Sequence, residues 1–143
     1  MGKRAEKIKI TIPSRLEELK NIEKLSCKVS KKMRLTEDER NNLSIAITEA
    51  VGNAIIHGNK KDPEKKVSIT LKLTDDRIVV EVKDQGKGFD PDSLADPRDP
   101  KNLLKENGRG IFILKTLMDK VTYSFSPEGT TLTFIMKKKP KKD

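Results

Sequence analysis

The chain has 143 residues, a single cysteine (Cys27), a single histidine (His57) and a formal net charge of +9, which fits one domain with one buried core and excludes an internal disulfide or a CxxC or HxxxH metal cluster. Hydrophobic residues make up 34% and charged residues 37%. No apolar run reaches the length of a membrane span and the N-terminus lacks the apolar stretch of a signal peptide, so a cytoplasmic protein with no membrane association is expected.

In chain order, Ile8, Ile10 and Ile12 alternate with Lys9 and Thr11, predicting a half-buried strand that stops at Pro13. Ser14-Arg15-Leu16-Glu17 has the spacing of a helix capping box, and Leu16, Leu19, Ile22, Leu25 and Val29 predict a first helix to about Lys32. Thr36 to Glu39 spells a second capping box. The helix after it turns Leu43, Ala46, Ile47, Ala50, Val51, Ala54 and Ile55 inward and is expected to end near His57, with Gly58 as its C-terminal cap. Val67, Ile69, Leu71 and Leu73, then Ile78, Val80 and Val82, follow a two-residue rhythm around Thr74-Asp75-Asp76 and predict a hairpin. Residues 84–108 read as a long loop punctuated by Gly86, Gly88, Pro91, Pro97 and Pro100, a kind of loop that is usually functional. A third helix from Arg109 and two closing strands, 121–126 and 130–137, complete the pattern. The lysines from about 137 onward read as a flexible basic tail. They lack the interleaved aromatics of a single-strand binding surface, so no direct nucleic-acid partner is expected. The order implies one α+β domain over residues 1–143: a two-layer sandwich with a mixed sheet covered on one face by helices.

Four short motifs carry chemistry. Glu49 and Asn53 stand one helical turn apart, with His57 a turn further, and make a polar stripe on an otherwise apolar helix. The stripe equally suits an interior Glu–Asn hydrogen bond that only closes the helix onto a neighbour. Asp84-Gln85-Gly86-Lys87-Gly88-Phe89 follows a strand: the carboxylate can accept from an exocyclic amine, and the glycines let backbone approach a flat ring. An ordinary turn has the same spelling. Gly108-Arg109-Gly110 opens a helix, where backbone N–H groups can meet a phosphate or serve as a plain hinge. Gly129-Thr130 opens the last strand and places a hydroxyl that can assist in holding a base.

Glu49-x-x-x-Asn53, Asp84-x-Gly86-x-Gly88, Gly108-x-Gly110 and Gly129-Thr130 occur in the order of the conserved boxes of the GHKL ATPase superfamily, and the chain resembles that superfamily from about Ile8 to Ile135. The run from Glu49 to Gly58 is similar to its small bacterial branch, the anti-sigma-factor serine kinases. The resemblance implies the Bergerat ATP-binding fold in a single histidine-kinase-like ATPase domain, with ATP and Mg²⁺ as ligands. It implies that Asp84 accepts the adenine amine with Thr130 in support, that Asn53 binds the metal, and that Glu49 is the catalytic base. His57, Gly86, Gly88, Phe89, Gly108, Arg109, Gly110 and Ile111 complete the implied nucleotide-binding set, under a lid over about 90–107 in which Lys101 and Lys105 join Arg109 as candidates for the γ-phosphate. Implied partners are an anti-anti-sigma factor with a STAS domain, which is phosphorylated on serine, a sigma factor, which is sequestered, and a second copy of the chain. A non-catalytic module that holds nucleotide to shape a partner surface is the alternative. A histidine kinase is excluded, because the only histidine lies in the nucleotide-box helix rather than on a dimerisation helix.

Overall fold

The fold is described over residues 5–86 and 109–138 of a computed structural model, without the side chains of residues 109–112. Strand β1 (Ala5–Pro13) leads through a 3-10 turn (Leu16–Glu18) into helix α1 (Leu19–Lys32) and then helix α2 (Glu37–Asn53), whose end widens into a π-helical turn (Ala54–Gly58). The hairpin of β2 (Lys66–Thr74) and β3 (Arg77–Lys83) follows, then helix α3 (Arg109–Leu117) and the hairpin of β4 (Lys120–Ser126) and β5 (Gly129–Lys137).

The five strands form one sheet in the order β1-β2-β3-β5-β4. Register places Ile8 beside Leu71, Leu71 beside Val80, Val80 beside Phe134, and Phe134 beside Val121, so one apolar row crosses all five strands. Ile22 and Val29 of α1 and Leu43, Ala46, Ile47 and Ala50 of α2 close over that face and share its core. Each fully buried aliphatic or Phe side chain contributes roughly 1.5–3 kcal/mol, against about 0.5–1.5 for one hydrogen bond. The inward face therefore fixes the register more firmly than the ladder does. The opposite face carries Thr70, Lys72, Glu81, Thr131 and Thr133, none of them fully buried, which makes the fold the expected two-layer α+β sandwich.

Three expectations are corrected. The sheet is antiparallel at every pairing among the described residues, not mixed. The connection through α3 returns β4 parallel to β3 but one place further out, and β5, the hairpin partner of β4, fills the gap antiparallel to both. Ser14 caps no helix: the 3-10 turn begins after Arg15 with no side-chain cap, and the Ser14 hydroxyl donates instead to the Lys65 carbonyl at 2.7 Å. Gly58 is not a left-handed cap either. It closes the π-helical turn, and the left-handed residues are Lys60 and Lys61, at φ 53° and 59°. The second capping box is present as read, with the Glu39 N–H donating to Thr36 Oγ1 at 3.1 Å and the Thr36 N–H to Glu39 Oε1 at 2.9 Å.

Candidate functional site

Strand β3 delivers Asp84 one residue past its end, directly beside the start of β5. The Asp84 N–H donates to the Thr130 carbonyl at 3.0 Å, and the Thr130 N–H returns a bond to Asp84 Oδ1 at 3.1 Å. The Gly86 N–H donates to the same oxygen at 3.0 Å. Oδ1 is thus saturated by the chain, while Oδ2 accepts nothing from the described residues.

Glycines from three segments make room for this carboxylate. A Cβ on Gly58 would stand 2.1 Å from Asp84 Oδ2, one on Gly86 2.2 Å from the Gly58 carbonyl oxygen, and one on Gly129 2.1 Å from the Asp84 carbonyl oxygen. None of these distances is tolerable, so the π-helical turn, the loop after β3 and the β4–β5 turn can meet only because all three residues lack side chains. Gly129 also has φ +150°, which a side chain would strain.

Asp84 is 5% exposed. That burial pushes its carboxyl above the ordinary value, and the Gly86 and Thr130 N–H groups and the charge of Lys65 offset this only in part. Tyr123 of β4 lies near enough to be affected: burial first, and then the Asp84 charge, hold its phenol above its ordinary value. Its ring stacks on Phe125 with centroids 5.6 Å apart.

Glu49 and Asn53 are both half-buried on α2. Asn53 Nδ2 is buried with no hydrogen-bond partner, so the interior Glu49–Asn53 bond that the spacing also allowed is not formed. An unpaired buried N–H costs about 1–3 kcal/mol; as a donor it fits a phosphate oxygen, while the Asn53 side-chain oxygen, which no described residue bonds, fits a hard cation. His57 is exposed on the π-helical turn, and Gly58 is the residue of that turn that lies against Asp84. Glu49 and Asn53 keep their one-turn spacing within the regular part of α2, and His57 follows on the widened turn, more exposed than either. The described part of helix α3 opens with Arg109, Gly110 and Ile111, and the helix packs on α2 and β4 with Leu114 and the following Met118 buried. Gly88, Phe89, Gly108, the lid and its lysines, and the end of the basic tail lie outside the described residues.

Asn59 belongs to none of the motifs read from the sequence, yet it is fully buried. Its Oδ1 accepts from the Gln85 N–H at 2.7 Å, and its Nδ2 donates to Ser14 Oγ at 2.7 Å and to the Lys66 carbonyl at 3.0 Å. No periodicity marks such a residue; the only local sign is its place directly after Gly58.

A carboxylate with one committed and one open oxygen, next to glycine backbone, is suited to accept a hydrogen bond from a flat heterocycle. Residues 12–136 match the family model of the histidine kinase-like ATPase domain. The chain is 34% identical over 127 residues to the serine-protein kinase RsbW of Bacillus subtilis, which covers 85% of this chain and 79% of that one. It is also 34% identical over 105 residues to the serine-protein kinase RsbW of Staphylococcus epidermidis, covering 68% of this chain; there it spans 65% of the relative's length, just under two thirds. Among solved structures, one of the RsbU and RsbW domains of a Mycobacterium tuberculosis protein matches with a TM-score of 0.67 at 16% identity, over 92% of this chain and 31% of that one, a likeness of fold. The chain belongs to the histidine kinase-like ATPase domain family.

Proposed function

We propose that the chain is an ATP-dependent serine/threonine protein kinase and anti-sigma factor, acting in the cytoplasm as a homodimer. It phosphorylates a serine on an anti-anti-sigma partner with a STAS domain and sequesters a sigma factor. The observation that carries the nucleotide part is the divided Asp84 carboxylate, with Oδ1 held by two N–H groups of the chain and Oδ2 open beside Gly58. An adenine amine would donate to Oδ2. Asn53 would give its side-chain oxygen to Mg²⁺, which would supply charge neutralisation at the phosphates. Among the described residues there is no group of three or more His, Cys, Asp or Glu that could hold a metal without such help. The first turn of α3 would present N–H groups to the phosphates. Arg109, Lys101 or Lys105 would meet the γ-phosphate.

In transfer, Glu49 takes the proton of the acceptor serine as its hydroxyl oxygen bonds to the γ-phosphorus. The bond from that phosphorus to the β-phosphate oxygen breaks, and ADP leaves. Glu49 suits this work because no described residue hydrogen-bonds or ion-pairs with it. No described helix is long and apolar enough to cross a membrane.

The test is transfer from radiolabelled ATP to a purified acceptor, with Glu49→Gln alongside. General bases contribute about a hundredfold to ten-thousandfold, so the variant should lose at least the lower figure in rate while ATP affinity stays within about threefold. No transfer by the native protein sinks the kinase. A Glu49→Gln protein that regulates its partner as well as the native one identifies a binding module instead.

A further inference from the structure

Asn59 has no part in the chemistry above, yet it is a fully buried polar side chain hydrogen-bonded at both ends. We propose that Asn59 is a positioning residue for adenine recognition: by accepting the Gln85 N–H it sets the Asp84–Gly86 turn and so aims Asp84 Oδ2 at the base. The inference rests on reading Asp84 as the base-binding carboxylate.

Gln85 is the one residue between the carboxylate and the Gly86 N–H that clamps its Oδ1. The Gln85 peptide has to face away from Asp84 for that clamp to close, and Asn59 Oδ1, at 2.7 Å, is what its N–H meets on the far side. Asn59 is itself fixed. Its Nδ2 spans Ser14 Oγ and the Lys66 carbonyl, and its own N–H donates to the Ala54 carbonyl at 2.8 Å. The orientation of its amide is unambiguous, because one end faces an N–H donor and the other faces a carbonyl oxygen. The residue therefore ties the end of β1, the start of β2 and the π-helical turn to the loop that carries the acceptor. The same turn holds Gly58 against Asp84 Oδ2, so Asn59 controls both the carboxylate and the surface it rests on. Without the acceptor, the Gln85 N–H is left unpaired or takes up water, and either outcome frees the turn to rotate.

The experiment compares affinities for Mg-ATP and for the triphosphate of purine riboside, which is ATP without its exocyclic amine, in the native protein, Asn59→Leu and Ser14→Ala. Partial unfolding raises both apparent dissociation constants by the same factor, so their ratio reports recognition alone. A hydrogen bond to a charged group implies a native preference for ATP on the order of tenfold to a hundredfold. In Asn59→Leu, which keeps the bulk but accepts nothing, the ratio should fall to within about threefold of unity. In Ser14→Ala, which removes a contact on the other side of Asn59, the melting temperature should drop and the ratio should hold. An unchanged ratio in Asn59→Leu overturns the role of Asn59 and leaves Asp84 as the base acceptor. An equal collapse in Ser14→Ala overturns it as well, by showing that general loosening suffices. A native protein with no preference for ATP overturns both this inference and the reading beneath it.

Discussion

The corner around Asp84 is held by the chain itself, whereas the polar stripe on α2 is left open by it. At the corner two N–H groups, three close-packed glycines and a buried asparagine fix one carboxylate. On the stripe no described residue bonds the side-chain oxygens of Asn53 or Glu49, and Asn53 Nδ2 is buried without a described partner as well. Recognising a base depends on the direction of a single hydrogen bond, and direction is cheapest when it is preset by the scaffold. Holding a cation or taking a proton depends on unengaged lone pairs, which a satisfied side chain cannot offer. The difference teaches that satisfied and unsatisfied polar groups in one site mark different tasks.

The strongest way to break the comparison is to fill the corner. Gly58→Ala puts a methyl group 2.1 Å from Asp84 Oδ2, and either the carboxylate or the π-helical turn must move. Overpacking of this kind costs about 1–3 kcal/mol in stability. Losing the aimed oxygen as well should lower Mg-ATP affinity on the order of a hundredfold, measured by calorimetry on protein shown by circular dichroism to be folded. Native affinity in this variant would show that the corner is not rigid.

Next in size is Asp84→Asn, which separates binding from stability. The amide oxygen can still accept from Gly86 and Thr130, but an NH₂ replaces Oδ2 and meets the adenine amine donor to donor. Affinity for ATP should fall by about tenfold to a hundredfold. Stability should move the other way. Burial holds the native carboxyl above its unfolded value of 3.8, so the folded state binds the proton more tightly. What Asp84 contributes is then fullest at low pH and is lost as pH rises through the native value. Asparagine does not titrate, so the melting temperature of the variant relative to native should climb between about pH 3 and pH 7. A relative decline over that interval would mean that the hydrogen bonds to Oδ1 outweigh burial.

Much of this was legible in the sequence because it is local. The alternation of Val67, Ile69, Leu71 and Leu73 is a property of one strand, and the Thr36–Glu39 box closes within one turn. Ser14-x-x-Glu17 spells the same box and does not form it, because Lys65 and Asn59, far along the chain, engage the Ser14 hydroxyl. Gly58 stands where a helix cap belongs, yet its missing side chain answers Asp84, twenty-six positions later. The π-helical turn adds one residue to a turn without changing the apolar pattern, so it could not be read from the spacing of residues 54–58. The candidates Asp84 and Asn53 could be picked out by type and order, but Asn59, proposed to position the first of them, could not. Its partners are two carbonyl or amide groups of the backbone and one hydroxyl, and backbone groups have no spelling.

The smallest effect tests the open side. Gly52 lies within α2 between Glu49 and Asn53, and a Cβ there would meet nothing within 4 Å. Glycine inside a helix costs roughly 0.5–1 kcal/mol relative to alanine, mostly through the freedom it gives the unfolded chain. Gly52→Ala should therefore raise the unfolding free energy by about that much in a urea titration, a gain that the corner, packed to contact, cannot accept at Gly58. Apart from its two chain neighbours the added methyl touches no described residue, Glu49 included, so Mg-ATP affinity should be unchanged. A loss of affinity with the stability gain intact would show that the space beside Gly52 is occupied once nucleotide binds. The stripe would then be shaped by the ligand, as the corner is shaped by the chain.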